Sequence, residues 1–182
     1  MPLRKFSEYL NTKSSSTPME TKLQQINDTH RIWVYQSSRP LNEQEQEMIV
    51  KTGTEFLAQW TAHGDQLYAT VSVLYNHFII IALDEEKAAP GGCSIDKLLH
   101  WVMSVERSLH IDLLDRQAIA IFDASQNTRV FTPEQFEQAI AENSIREDVL
   151  VFNNLVATGK ELKQNWIIPA STSWQHRYFE NA

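Results

Sequence analysis

The sequence of 182 residues is poor in cysteine, in long apolar runs and in positive charge, and each shortage excludes a class of protein. Its one cysteine, Cys93, excludes an intramolecular disulfide framework and any zinc or iron–sulfur site that needs several thiolates. The longest apolar run, Phe78 to Leu83, is far shorter than the ~18 residues that cross a bilayer, so we predict no membrane insertion. Sixteen Lys and Arg against 23 Asp and Glu disfavour nucleic acid as a partner, because phosphate binding needs clustered basic side chains.

Several catalytic motifs are also missing. Of the five glycines only Gly159 precedes a lysine, and Glu161 follows that lysine, so the phosphate-binding loop of P-loop nucleotide hydrolases is excluded. There is no G-x-G-x-x-G, H-E-x-x-H, G-x-S-x-G or EF-hand pattern. The histidines have no metal-ligand spacing, and we predict neither a metal nor a cofactor. They are His30, His63, His77, His100, His110 and His176.

What the sequence does contain is a hydrophobic fraction of 42% with 8 Phe, 5 Tyr and 5 Trp, enough for a core. Residues 1–30 differ from the rest, since they hold the run Ser14 to Pro18 and no sustained periodicity. We predict a flexible leader over 1–30 and one α+β domain over 31–182. Whether Met1 or Met19 is the true start stays open.

The first half of the domain shows strand and helix patterns in turn. Ile32 to Tyr35 is β-branched and aromatic, as in a strand. Asn42, with Glu45 three residues later, predicts a capped helix whose apolar stripe ends at Trp60. Two strands follow, an alternating one over Leu67–Tyr75 and a continuously apolar one over Phe78–Leu83.

The second half completes a recognisable order of elements. We predict a helix capped by Cys93 or Ser94, with an apolar stripe that includes Leu99, and then a strand over Ala118–Phe122. Strand, helix, strand, strand, helix, strand is the order of a ferredoxin-like βαββαβ sandwich, a four-stranded antiparallel sheet with two helices on one face. A C-terminal α/β extension follows, with a helix from Thr132, a strand over 149–156 and a short helix or turn over 159–166.

The segment from Gly91 to Asp96 is the strongest candidate in the sequence for a catalytic site. A thiol at a helix N-terminus lies at the positive end of the helix dipole, which favours the reactive thiolate of Cys93. His63 is one candidate base, and Asp96 is either a partner in catalysis or a stabiliser of the helix end. The structural alternative is that Gly91 and Gly92 shape a turn, while Cys93 packs and Ser94 and Asp96 satisfy free amides.

A second candidate is a binding site for a small anion. Gly91, Gly92 and Ser94 offer backbone amides at the helix start, and Arg116 offers a positive charge. Arg116 lies near Asp112 and Asp115 in a loop, where such a cluster either binds an ion or holds the loop by hydrogen bonds.

Short segments across most of the domain resemble a family of small bacterial proteins. The likeness runs from about Arg31 to Phe179, and the family, mostly from Bacteroidetes-type bacteria, often carries the label "ABC transporter ATPase". No activity follows from the resemblance, and the absent phosphate loop gives the ATPase label no support. The matching segments are Trp33–Arg39, Gln59–Gly64, Gly92–Lys97, Asp115–Arg116, Val151–Val156 and Ser173–Trp174.

From these observations we predict a cytoplasmic binding or regulatory module. The alternative is a cysteine-dependent enzyme of acyl transfer, or a redox-sensing thiol protein, that uses Cys93. A homodimer is expected as well, because one face of the sheet stays open unless the C-terminal extension or a second subunit covers it.

Overall fold

The computed structural model of the protein describes residues 23–123, 125 and 127–180. The predicted leader lies outside these residues except for residues 23–30, of which Ile26 is buried in the core. The division of the chain at residue 30 stays a prediction.

The described residues form a mixed α and β structure with antiparallel sheets. The strands are β1 (Arg31–Gln36), β2 (Thr61–Ala62), β3 (Asp65–Gln66), β4 (Ala69–Leu74), β5 (Phe78–Leu83), β6 (Ile119–Phe122), β7 (Thr128–Phe131), β8 (Leu150–Phe152) and β9 (Ile167–Pro169). The helices are α1 (Glu43–Leu57), α2 (Gly92–Leu109), α3 (Pro133–Ala141) and α4 (Gly159–Asn165), followed by 3₁₀ turns at Ala170–Thr172 and Trp174–Tyr178.

The first sheet has the strand order β1-β5-β4. Its central strand β5 is buried along its whole length, which explains why that segment is continuously apolar. Helices α1 and α2 cover one face, and Ile49 and Val102 are completely buried between them and the sheet. Gly53 lets the helices pack closely, since a Cβ there would lie 2.9 Å from Cζ2 of Trp101.

The fourth strand of the predicted ferredoxin-like sheet lies elsewhere. β6 pairs with β7 and β8 in a second sheet of order β7-β6-β8-β9, and it forms no ladder with β1. The expected mixed α and β class is confirmed, whereas this strand order does not confirm a ferredoxin-like arrangement. The cause is that β6 finds two partners in the C-terminal extension, which shields it on both edges.

The second sheet covers the face of the first sheet that the helices leave open. Phe78 on β5 and Phe152 on β8 lie with ring centroids 4.4 Å apart, and Trp166 packs against both rings. The C-terminal extension therefore covers this face. The homodimer stays a prediction, but an open sheet face no longer supports it.

Several predicted boundaries are wrong by a few residues. Helix α2 begins at Gly92 with Gly91 as its N-cap, so neither Cys93 nor Ser94 caps it. Helix α1 ends at Leu57, before Trp60, and β8 ends at Phe152 because Asn153 begins a turn. Two caps are confirmed, since Asn42 and Thr132 each form the full capping box.

Within the described ranges, no helix has both the length and the apolar content that a membrane crossing requires.

Candidate functional site

The N-terminus of α2 brings two of the predicted residues close together. A Cβ built on Gly91 would lie 3.1 Å from Nε2 of His63, so the imidazole ring rests against the N-cap of the helix. His63 adopts a positive φ of 53° in the turn between β2 and β3, and this turn aims the ring toward α2. Cys93, two residues beyond Gly91, is exposed and carries a free thiol.

Ser94 has a structural role at the same helix end. Its side chain is buried, and its hydroxyl donates to the carbonyl oxygen of Gly91 at 2.7 Å. The carbonyl oxygen of Ser94 accepts the indole N–H of Trp60 at 2.7 Å, which ties α2 to the segment after α1. Asp96 is exposed, and a Cβ on Gly92 would meet nothing within 4 Å.

A separate cavity of about 450 Å³ lies along the outer edge of β1, and we call it the β1 groove. One wall is formed by α2 and the loop that leads to β6, and the other by the turn after β8. Its volume is in the range of ligand sites in proteins. The lining includes Ile32, Trp33, Val34, Tyr35, Gln36, Ile95, Leu99, Leu114, Asp115, Arg116, Ala118, Asn154, Leu155 and Trp174.

The floor of the β1 groove is an unpaired strand edge. The N–H of Ser37 donates to His77 at the end of β5, whereas the N–H of Ile32 donates to Ala157 on the other side. Because backbone groups alternate along an antiparallel strand, the N–H and C=O groups of Val34 face the groove. Within the described part of the chain, Val34 has no backbone partner on that edge.

Both ends of this edge are closed by other segments. At one end, Arg31 forms an antiparallel bridge with Thr158. At the other end, the Gln36 side chain donates to the carbonyl oxygen of Ala118 at 3.4 Å and accepts from Nδ2 of Asn154 at 2.7 Å. Asn154 in turn accepts the indole N–H of Trp166 at 3.0 Å. These amide contacts fix the turn after β8 against β1.

Exposed apolar side chains gather at the groove. Among the described residues, the large apolar side chains with the highest exposure are Leu155 at 74% and Tyr68 at 53%, followed by Leu99, Met103 and Leu114. Leu155, Leu99 and Leu114 all line the β1 groove. The sequence pattern places Leu99 on the buried side of its helix, and that prediction is wrong. Apolar groups that cluster at a cavity mark an interaction site more often than scattered ones do.

Tyr35 and Arg116 provide the polar chemistry of the groove. Burial raises the pKa of the Tyr35 phenol to about 12, and the positive charge of Arg116 opposes that rise. Arg116 is exposed, and no ion pair to it is present within residues 23–123, 125 and 127–180. The neighbouring carboxylate of Asp115 accepts the backbone N–H of Gln117 at 2.8 Å, so it serves the loop.

The predicted site residues are therefore divided between two places. Arg116 lines the β1 groove, while Gly91, Gly92, Cys93 and Ser94 are absent from its lining. His63 and Asp96 are also outside that lining and belong to the helix end. Across the described residues, no group of three His, Cys, Asp or Glu side chains could hold a metal ion.

A second cavity of about 590 Å³ lies between α1 and α2. Its walls combine aromatic and polar side chains, and Phe56 stacks on Trp101 with ring centroids 5.8 Å apart. It contains Lys97 and His100 but no open strand edge, so the β1 groove is the stronger candidate.

Comparisons with known proteins give no relative for this chain. No family model matches it, and neither the curated proteins nor the solved structures contain a match. The resemblance to the bacterial family stays a prediction.

Proposed function

We propose that this protein is a binding module and that the β1 groove is its ligand site. The observation that carries the proposal is the open edge of β1 at Val34, bordered by the exposed side chains of Leu99, Leu114 and Leu155. A cavity with apolar walls and a few polar groups that converge on it is the usual form of a ligand site.

The chemistry of the lining supports an apolar ligand with an anionic group. Leucine side chains on both walls exclude water from an apolar ligand, and each buried leucine contributes about 1.5–3 kcal/mol. Arg116 has no ion-pair partner in the described ranges, so a carboxylate or sulfonate would gain a charge-assisted hydrogen bond there.

Anilinonaphthalene sulfonate, an apolar dye with an anionic group, tests this proposal. We expect the folded protein to enhance its fluorescence, and Leu155→Ser to weaken its binding by about tenfold. Tyr68→Ser is the matched control, since Tyr68 is also exposed and lies outside the groove lining. Equal loss of binding in both variants, or none in either, would contradict the groove as the site.

A second candidate function is thiol chemistry by Cys93, and the observation in its favour is the position of His63 against Gly91. An imidazole at the start of α2 could accept the thiol proton and so activate the nucleophile. Iodoacetamide alkylation of Cys93 across the neutral pH range tests this function. If His63 acts as the base, His63→Gln slows alkylation near neutral pH, while His100→Gln leaves the rate unchanged. An unchanged rate in His63→Gln removes this candidate.

We also propose a cytoplasmic location, kinship with the bacterial family and ligands other than nucleic acid. The net charge of −7 supports the last of these, because it opposes contact with phosphates.

We propose the homodimer as well. Light scattering at micromolar concentration tests it, and a monomer mass would contradict that prediction.

A further inference from the structure

The shape of the β1 groove limits the length of what can pair with β1. The edge is occupied at Arg31 by Thr158 and is closed at Gln36 by Ala118 and Asn154. The open stretch from Ile32 to Gln36 spans about 13 Å, at about 3.3 Å per residue. It therefore admits three or four extended residues, and a longer strand would collide with one end.

The open backbone groups select a peptide as the occupant. The N–H and C=O of Val34 point into the groove, as do the C=O of Ile32 and the N–H of Gln36. An extended peptide supplies donors and acceptors at the same spacing, and such strand addition is a common mode of peptide recognition. Its alternate side chains would then meet the leucine-lined walls.

A second copy of this chain does not suit the same place. Symmetric pairing would bring two β1 edges together, and each edge is closed by Thr158 at one end and by Ala118 at the other. A chain terminus enters such a short stretch from solvent, because only its last residues need to fit.

The positive charge in the groove indicates which terminus of a peptide would bind there. Arg116 has no carboxylate partner in the described ranges, and Asp115 is engaged with the backbone of its own loop. A C-terminal carboxylate complements Arg116, whereas an N-terminal ammonium does not. On the basis of the proposed function, we infer that the β1 groove binds the C-terminal three or four residues of a peptide chain as a short strand on β1, with the terminal carboxylate at Arg116.

Tetrapeptides of the form acetyl-Thr-Val-Thr-X, with X each amino acid in turn, are the probes. They are titrated into the isotope-labelled full chain, each with a free C-terminal carboxylate and as its C-terminal amide. We expect at least one acid to bind with a Kd below about 1 mM, and the backbone resonances of Val34 and Gln36 to shift. Its amide should bind about tenfold or more weakly, because a charged hydrogen bond is lost.

Two variants test whether Arg116 causes the difference in affinity between the acid and the amide. Arg116→Gln should remove the preference for the acid over the amide, and the exposed control Arg146→Gln should keep it. Slowed hydrogen exchange of the Val34 amide in the complex separates strand addition from simple ion binding. Hexanoate serves as an apolar carboxylate without peptide groups, and we expect it to bind more weakly than the best tetrapeptide.

Four results would overturn the inference. They are equal binding of acids and amides, hexanoate binding as tight as the best peptide, shifts confined to residues away from β1, and a Val34 amide already protected in a dimer of the free protein. If no tetrapeptide binds while anilinonaphthalene sulfonate does, the peptide inference fails and the proposed function stands. If neither binds, both fail.

Discussion

The side-chain amide of Asn154 donates to Oε1 of Gln36 at 2.7 Å, although 118 positions separate the two residues in the chain. This contact joins the end of β1 to the turn after β8, and it closes one end of the β1 groove. Gln36 is buried, and the same side chain also donates to the carbonyl oxygen of Ala118.

Gln36→Leu should therefore destabilise the protein. The variant leaves the partly buried amide of Asn154 and carbonyl of Ala118 without their partner, and the loss of such a hydrogen bond costs about 0.5–1.5 kcal/mol. Urea denaturation measures the free energy of unfolding. The surface control Gln138→Leu loses only an exposed bond to Glu142 and should change the free energy of unfolding by less than about 0.5 kcal/mol. Similar effects in the two variants would contradict the role of Gln36.

Two glycines at helix starts should respond in opposite ways to alanine. A Cβ on Gly159 would overlap the backbone carbonyl of Asn27, which cannot move away as a side chain could, so Gly159→Ala should cost about 3 kcal/mol. A Cβ on Gly92 meets nothing within 4 Å, and Gly92→Ala should stabilise the protein by less than about 1 kcal/mol. Thermal or urea denaturation measures the stability of both variants, and a neutral Gly159→Ala would contradict the close approach of Gly159 to Asn27.

Stability should fall in mildly acidic solution because of His77. Burial lowers the pKa of this histidine below 6.5, while the bond of its ring to the carbonyl oxygen of Tyr75 works against that shift. The unfolded chain then binds a proton more readily than the folded one. The contribution of His77 to stability is present above pH 6.5 and is lost as the pH falls toward the lower pKa of the folded state.

The His77 prediction is tested by urea denaturation at about pH 7.5 and about pH 5.5. His77→Gln should reduce the loss of stability between these conditions, and the exposed control His100→Gln should leave it unchanged. An equal loss in wild type and His77→Gln would assign the pH dependence to other groups.

The ionisation of Tyr35 should report the position of Arg116. The Tyr35 pKa is raised to about 12 by burial and is held down by the charge of Arg116, so Arg116→Gln should raise it further. Ultraviolet or NMR titration of the phenol measures this change, with Arg146→Gln as the control. Because the folded pKa exceeds the ordinary value of 10.0, the contribution of Tyr35 is complete below pH 10 and is lost as the pH rises through 12. An unchanged Tyr35 pKa in Arg116→Gln would place Arg116 away from the groove.

Features decided by neighbours along the chain could be predicted from the sequence. The capping boxes at Asn42 and Thr132 need only residues three positions apart, and the burial of β5 follows from its unbroken apolar run. The partner of β6 could not be predicted in this way. Pairing with β7 and β8 depends on segments whose strand patterns are short, and the order of elements alone fits a ferredoxin-like sheet equally well.

The candidate site shows the same division. The sequence pattern identifies Arg116 as a candidate. It could not identify Tyr35, Gln36 and Leu155, because these residues line the groove only after distant segments have packed around β1. Leu99 fits the apolar spacing of α2 but lies at the rim of the groove. Helical spacing shows which face of a helix is apolar, and it does not show whether another segment covers every part of that face. The Asn153-Asn154 pair inside an apolar run is the local signal of the turn that forms one wall.

The packing of Gly159 on Asn27 has a consequence for the order in which the chain can fold. Asp28 contacts Lys163 across 135 positions, and Ile26 is buried beside Leu162 in the same cluster. The segment before β1 therefore cannot reach its final place on the ribosome until α4 has emerged. Such contacts raise the mean sequence separation of the fold, which slows folding. We expect residues 26–28 to dock late in folding, after α4 has formed.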